Sequence, residues 1–132
     1  MLGALLTTDP RFAELEADIV VPVPLHRKRL RTRGYNQSEL IGRVVARRLG
    51  IDMSPGMLRR LVDTPPQARA RSRTERAAGV RDAFRAGEGA SGRRILLVDD
   101  VTTTGSTLRE CARSLLKAGA TRVDAIVVAR EV

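Results

Sequence analysis

Two adjacent carboxylates, Asp99 and Asp100, are followed by Val101 and then by Thr102-Thr103-Thr104-Gly105-Ser106-Thr107. Carboxylates at such a point accept hydrogen bonds from vicinal hydroxyls, as acidic residues do for ribose in dinucleotide-binding folds, or help to order a divalent cation. Small hydroxyl residues around a glycine, placed ahead of a helix, bring together backbone N–H groups, hydroxyl donors and the positive end of the helix dipole. That combination is a socket for a phosphate monoester. Together the two features describe a clamp for a ribose 5-phosphate. The plainer alternative, in which the acids cap the helix and the threonines satisfy a turn, is disfavoured because both acids directly follow an apolar run.

These residues need a strand before them and a helix after them. Ile95-Leu96-Leu97-Val98 has the unbroken apolar character of a central parallel strand, ending in the two acids. Leu108, Cys111, Ala112, Leu115 and Leu116 then recur at helical spacing up to Gly119, and Arg122 to Ala129 supplies a last strand. Upstream, Asp18 to Pro24 reads as a buried strand closed by prolines, followed by a basic loop from His26 to Tyr35. Asn36-Gln37-Ser38-Glu39 resembles a capping box, opening a helix with Leu40, Ile41, Val44, Val45 and Leu49 on one face and Gly50 as its stop. Asp9-Pro10 opens a short helix to about Glu16, residues 57 to 61 and 80 to 84 read as short strands, and Gly87 to Gly92 as a connector. The arginine-rich stretch from Gln67 to Arg76 has too few large apolar residues for core and reads as a moving loop or a weakly packed helix. Strands alternating with helices imply an α/β fold, a parallel sheet covered on both faces, with any site at the C-terminal ends of the strands.

Composition narrows the function classes. The chain has 132 residues, 42% apolar and 30% charged, which suits one globular domain over residues 1–132. No run approaches the ~18 consecutive apolar residues of a membrane span. Cys111 is the single cysteine and His26 the single histidine, which excludes an intramolecular disulfide and a thiolate zinc cage. Met1 to Thr8 lacks the basic start of a signal peptide, so a cytoplasmic location is expected. Basic residues number 24 against 15 acidic ones, for a net charge of +9, and the segment 26–81 carries all of the excess. Such a block suits a polyanion, either nucleic acid or a small polyphosphate. With only Phe12, Tyr35 and Phe84 as aromatics there is little on which to stack bases.

Ile95 to Thr107, ILLVDDVTTTGST, resembles the phosphoribosyl-pyrophosphate (PRPP) motif of type I phosphoribosyltransferases. VPVPL at 21–25, RGYNQ at 33–37, TPPQ at 64–67, the arginines up to Arg76 and Phe84 make the chain similar to the ComF group in particular. The resemblance implies a parallel sheet of about five strands flanked by helices, with a reduced hood because only 17 residues precede Asp18. It implies binding of PRPP and release of pyrophosphate, with Mg²⁺ as cofactor. Asp99 and Asp100 match the acids on the ribose hydroxyls, where they would meet Mg²⁺ only through water. Thr103, Thr104, Gly105, Ser106 and Thr107 match the 5-phosphate loop. By analogy the pyrophosphate would meet Arg33 and Gly34, and Arg73 and Arg76 from a closing loop.

Departures from the pattern matter too. The cysteine-rich zinc-ribbon segment with which ComF-type proteins begin is absent, which fits a shortened relative or a piece of a longer chain. Thr102 stands where the motif is usually apolar, and Gly79 where ComF relatives commonly carry Asn. Thr103 replaces the Asp that acts on the purine ring in hypoxanthine-guanine enzymes, which argues against a 6-oxopurine acceptor. The acceptor is otherwise open, and a nitrogenous base is the expectation. Homodimerisation is expected by analogy only. The alternative function is an accessory protein of DNA uptake that keeps the PRPP pocket and binds nucleic acid through its basic loops. His26 suits either a pyrophosphate contact or a plain surface position, and Cys111 a buried small hydrophobe.

Overall fold

The computed structural model describes residues 15–25, 27–61, 83–102 and 105–130. Four strands form a parallel sheet in the order β2-β1-β5-β6, where β1 is Ile19–Pro22, β2 Asp52–Met53, β5 Arg94–Thr102 and β6 Arg122–Arg130. The other two described strands, β3 (Leu58–Arg60) and β4 (Phe84–Ala86), pair antiparallel with each other. Helix α1 is Arg27–Arg33, α2 Gln37–Leu49 and α3 Ser106–Lys117. Parallel strands buried on both faces need continuous apolar sequence, and β1 and β5 have it: Val20, Val21, Leu96, Leu97 and Val98 are fully buried.

Alternate residues of β1 and β5 feed two cores. Val20, Leu96 and Val98 pack with Ile41, Val45 and Ala46 of α2. Ile19, Val21, Ile95 and Leu97 pack with Cys111 and Leu115 of α3 and with Leu58 and Phe84 of the antiparallel pair. Helix α2 approaches the sheet closely at Gly42, where a Cβ would lie 3.0 Å from Met53 Sδ and 3.5 Å from Val20. At the N-terminal end of β5, the Arg94 N–H donates to Asp18 Oδ2 at 2.8 Å and its guanidinium to Asp18 Oδ1 at 3.0 Å. That paired hydrogen bond holds the Asp18 carboxyl below its ordinary range and pins the start of β5 to the start of β1.

Several expectations are corrected. The segment between β1 and α2 is not a loop throughout: Arg27–Arg33 forms α1. Arg, Lys and Leu are good helix formers, Arg31 and Arg33 suit its C-terminal dipole, and Gly34 at φ +80° closes it by donating its N–H to the Leu30 carbonyl at 2.7 Å. Strand β5 does not stop at the acids but runs through them to Thr102, because β6 continues to pair with it at Val101 and Thr102. Leu40 and Val44 of α2 are 47% and 43% exposed, so the buried stripe is the narrower one through Ile41, Val45 and Ala46. The strand expected at 80 to 84 begins at Phe84, with 80–82 outside the described residues. Leu15 and Glu16 lie in irregular chain; residues 9–14 of the expected first helix, the Gln67–Arg76 stretch and His26 lie outside the described residues. No helix among the described residues is long and apolar enough to cross a membrane.

Candidate functional site

From β1 the chain passes through α2 to β2 on one side, and from β5 through α3 to β6 on the other. The sheet order therefore switches direction between β1 and β5. In open α/β sheets the crevice at such a switch, at the carboxyl ends of the strands, is where ligands bind. Here those ends bring Val23 and Pro24 beside Asp99 and Asp100, and the Val23 N–H still donates to the Val98 carbonyl at 2.9 Å.

Helix α2 closes one wall of the crevice with its first turn. Asn36 caps it, accepting from the Ser38 N–H at 3.1 Å while its own Nδ2 donates to the Val23 carbonyl at 3.1 Å. The cap thus ties the helix N-terminus to the end of β1. Ser38, only 3% exposed, then donates its hydroxyl to Asp99 Oδ1 at 3.1 Å. The Asp100 N–H donates to the same oxygen at 2.9 Å.

Asp99 is 8% exposed, and burial pushes its carboxyl up to about 6. A side-chain hydrogen bond with Asp100 and the charge of that neighbour add to the rise, and the Ser38 and Asp100 N–H donors oppose it. Both donors meet the same oxygen, Oδ1, of this buried acid at the mouth of the sheet. Asp100 is half-buried beside it. Beyond the strand, Gly105 takes φ +77° and opens α3, with Ser106 and Thr107 half-buried in the first turn. A glycine takes this positive φ with no Cβ strain, and the N-terminus of α3 follows the carboxyl end of β5 in the chain.

Of the other expected site residues, Thr103, Thr104, Arg73 and Arg76 lie outside the described residues. Arg33 is exposed at the end of α1, and Gly34 supplies the turn between α1 and α2. Cys111 is fully buried, and desolvation drives its thiol far above the ordinary range, so it is core. Ser38 and Asn36 are members of this candidate site that sequence reasoning missed. The capping pattern at 36–39 marks a helix start, but nothing local in it says that Ser38 faces an acid 61 residues away.

Mg²⁺ binds through oxygen ligands, typically one or two carboxylates plus substrate phosphates with several waters retained. Among the described residues no three His, Cys, Asp or Glu side chains gather into a metal cage. A pair of carboxylates at the crevice, Asp99 and Asp100, fits a cation that arrives on a phosphate ligand.

Residues 36–131 match the model of the phosphoribosyl transferase domain. The chain is 35% identical over 116 residues to Competence protein F of Haemophilus influenzae, covering 86% of this chain and 50% of that one. It is 38% identical over 111 residues to DNA utilization protein YhgH of Escherichia coli K12, covering 81% of this chain and 47% of that one. It thus spans about half the length of these curated relatives. Among solved structures, glutamine PRPP amidotransferase from B. subtilis, complexed with ADP and GMP, superposes with a TM-score of 0.65 at 28% identity, covering 96% of this chain and 25% of that one. The crevice that joins Asp99 to the first turn of α2 therefore lies in a fold of known kind, and the chain belongs to the phosphoribosyl transferase domain family as a ComF-like member of its type I fold.

Proposed function

We propose that this chain binds PRPP with Mg²⁺ and transfers its ribose 5-phosphate to an acceptor, releasing pyrophosphate. The observation that carries this reading is Asp99, held buried at the β1/β5 switch point by Ser38 and the Asp100 N–H. Asp99 and Asp100 accept from the ribose hydroxyls and fix the sugar ring. Thr103 to Thr107 and the N-terminus of α3 receive the 5-phosphate, and Arg33, Gly34, Arg73 and Arg76 receive the pyrophosphate. When bound, Mg²⁺ neutralises charge on the diphosphate leaving group. The acceptor lone pair forms the new bond at C1 as the C1–O bond to pyrophosphate breaks, with positive charge building on the ribose ring. The protein contributes positioning and fixed charge. The buried lone thiol of Cys111 supports a reducing compartment, the cytoplasm.

The test is calorimetric titration of PRPP into the full chain with and without Mg²⁺, repeated with Asp99→Asn and Asp100→Asn. Mg²⁺-dependent binding that falls at least tenfold in each variant is expected. A folded wild-type chain that does not bind PRPP overturns the reading.

A second reading has a specific observation in its favour. Arg43, Arg47 and Arg48 stand exposed on α2, and two of the similar proteins are named for competence and DNA utilization. An accessory protein that binds nucleic acid through this surface would show affinity falling steeply with salt. That affinity would survive Asp99→Asn and weaken in Arg47→Gln/Arg48→Gln.

A further inference from the structure

Helix α2 buries one side against the sheet and keeps a patterned outer side. Residues four apart form the ridges of a helix surface. One ridge is Leu40, Val44 and Arg48, and beside it runs Glu39, Arg43 and Arg47. Leu40 and Val44 are exposed, as are Arg43, Arg47 and Arg48. A single exposed apolar side chain is ordinary. Here two stand one turn apart, in a ridge that ends in one arginine and is bordered by two more. Glu39, the only acid of α2, meets Arg43 at 3.6 Å, but the Arg43 side chain stays 61% exposed. An exposed pair of that kind is worth little, so all three arginines remain open to a further acid.

Charge and shape together decide what fits this face. A second copy of the chain would set Arg43, Arg47 and Arg48 against the same three residues, and like charges facing one another are costly. A nucleic-acid backbone would match the arginines and leave Leu40 and Val44 with no apolar row to meet. An anionic lipid surface requires a broad apolar face to enter it. Helix α2 offers only two such side chains outward, because Ile41, Val45 and Ala46 are buried against the sheet. A helix with an apolar row and acids beside it meets both ridges at once, and carboxylates suit the guanidinium fork.

We propose that the outer face of α2 docks an acidic amphipathic helix of a partner protein, its apolar row on Leu40 and Val44 and its carboxylates on Arg43, Arg47 and Arg48. The proposal does not rest on the PRPP reading: Ser38, which holds Asp99, lies on the buried side of the same helix. It does compete with the nucleic-acid reading for the same arginines, and the test separates the two.

The probe is a fluorescent synthetic peptide with leucines along one i, i+4 row and glutamates along the next, titrated with the full chain and read by anisotropy. It is expected to bind at least tenfold more tightly than its scrambled isomer and than its glutamate-to-glutamine counterpart. Arg43→Gln/Arg47→Gln and Leu40→Gln/Val44→Gln are each expected to weaken binding at least fivefold, with circular dichroism showing that each variant is folded. Leu40→Gln alone carries the apolar arm if the pair does not fold. Arg85→Gln/Arg93→Gln removes two exposed arginines elsewhere and is expected to leave binding within twofold. Equal binding of the scrambled peptide shows diffuse charge attraction only and overturns the proposal. So does a single-stranded oligonucleotide of equal charge that binds more tightly than the peptide and ignores Leu40→Gln/Val44→Gln, which assigns the face to nucleic acid. Cosedimentation with anionic vesicles that is lost in Leu40→Gln/Val44→Gln assigns it to a membrane and likewise overturns the proposal.

Discussion

Ser38, in the first turn of α2, donates its hydroxyl to Asp99 Oδ1 at 3.1 Å, although the two residues lie 61 positions apart. The bond joins the two helix–strand units of the sheet at the point where the strand order reverses. It also stabilises the charged form of an acid that burial otherwise drives towards its neutral form.

Removing the hydroxyl therefore raises the Asp99 carboxyl further. PRPP binding that depends on the carboxylate is expected to strengthen as pH rises through about 6 in the wild type, where Asp99 ionises. In Ser38→Ala the midpoint of that profile moves to higher pH, and the fold loses about 1 kcal/mol, the usual net worth of one hydrogen bond. Calorimetric titrations of PRPP between pH 5 and 8 read the midpoint. An unmoved midpoint would show that Ser38 has only a packing role.

Asp99 also makes stability depend on pH. Its carboxyl ionises at 3.8 when unfolded and at about 6 when folded, so folding takes up a proton between those pH values. Stability is thus unpenalised below 3.8, falls as pH rises through the window, and stays lower above about 6. Asp99→Asn removes the ionisation. The variant is expected to be more stable than the wild type at pH 7.5, by about 1–3 kcal/mol. The difference should shrink towards pH 4, as urea unfolding at the two pH values would reveal.

Gly119, just past α3, takes φ +104°, and a Cβ there would lie 2.9 Å from Ser91 Oγ and 3.2 Å from Ser91 Cα. Both the conformation and the contact exclude a side chain. Gly119→Ala is expected to cost about 1–3 kcal/mol in thermal unfolding. Gly50→Ala, also at positive φ but with open space around it, should cost less.

Gly42 lets α2 lie against β1 and β2. Alanine gains helix propensity, about 1 kcal/mol, but its Cβ must push aside the flexible end of Met53, 3.0 Å away. Gly42→Ala is therefore expected to be near neutral. Gly42→Ile adds atoms that meet Val20 and Pro22, and should destabilise by about 1–3 kcal/mol in urea unfolding.

Cys111 has no exposed surface. Iodoacetamide should leave it unmodified in the native state and label it only under denaturing conditions, which mass spectrometry resolves. Labelling at native rates comparable with a free thiol would contradict the core position.

Local pattern was enough for the parallel sheet, for α2 with its Asn36 and Gly50 ends, for α3, and for the pairing of Asp99 and Asp100 with a helix start at Gly105. These features follow from apolar periodicity and backbone capping, which act within a few residues. Helix α1 was hidden because its seven residues, six of them polar or charged, carry no apolar period and sit between proline and glycine. The exposure of Leu40 and Val44 was equally hidden, because periodicity marks a face but not how much of it a neighbouring sheet covers. The Ser38–Asp99 bond was decided only by tertiary structure. It joins residues from separate elements, and which side chains meet across such elements is set by the strand order and packing of the whole sheet, a non-local property that no stretch of sequence encodes by itself.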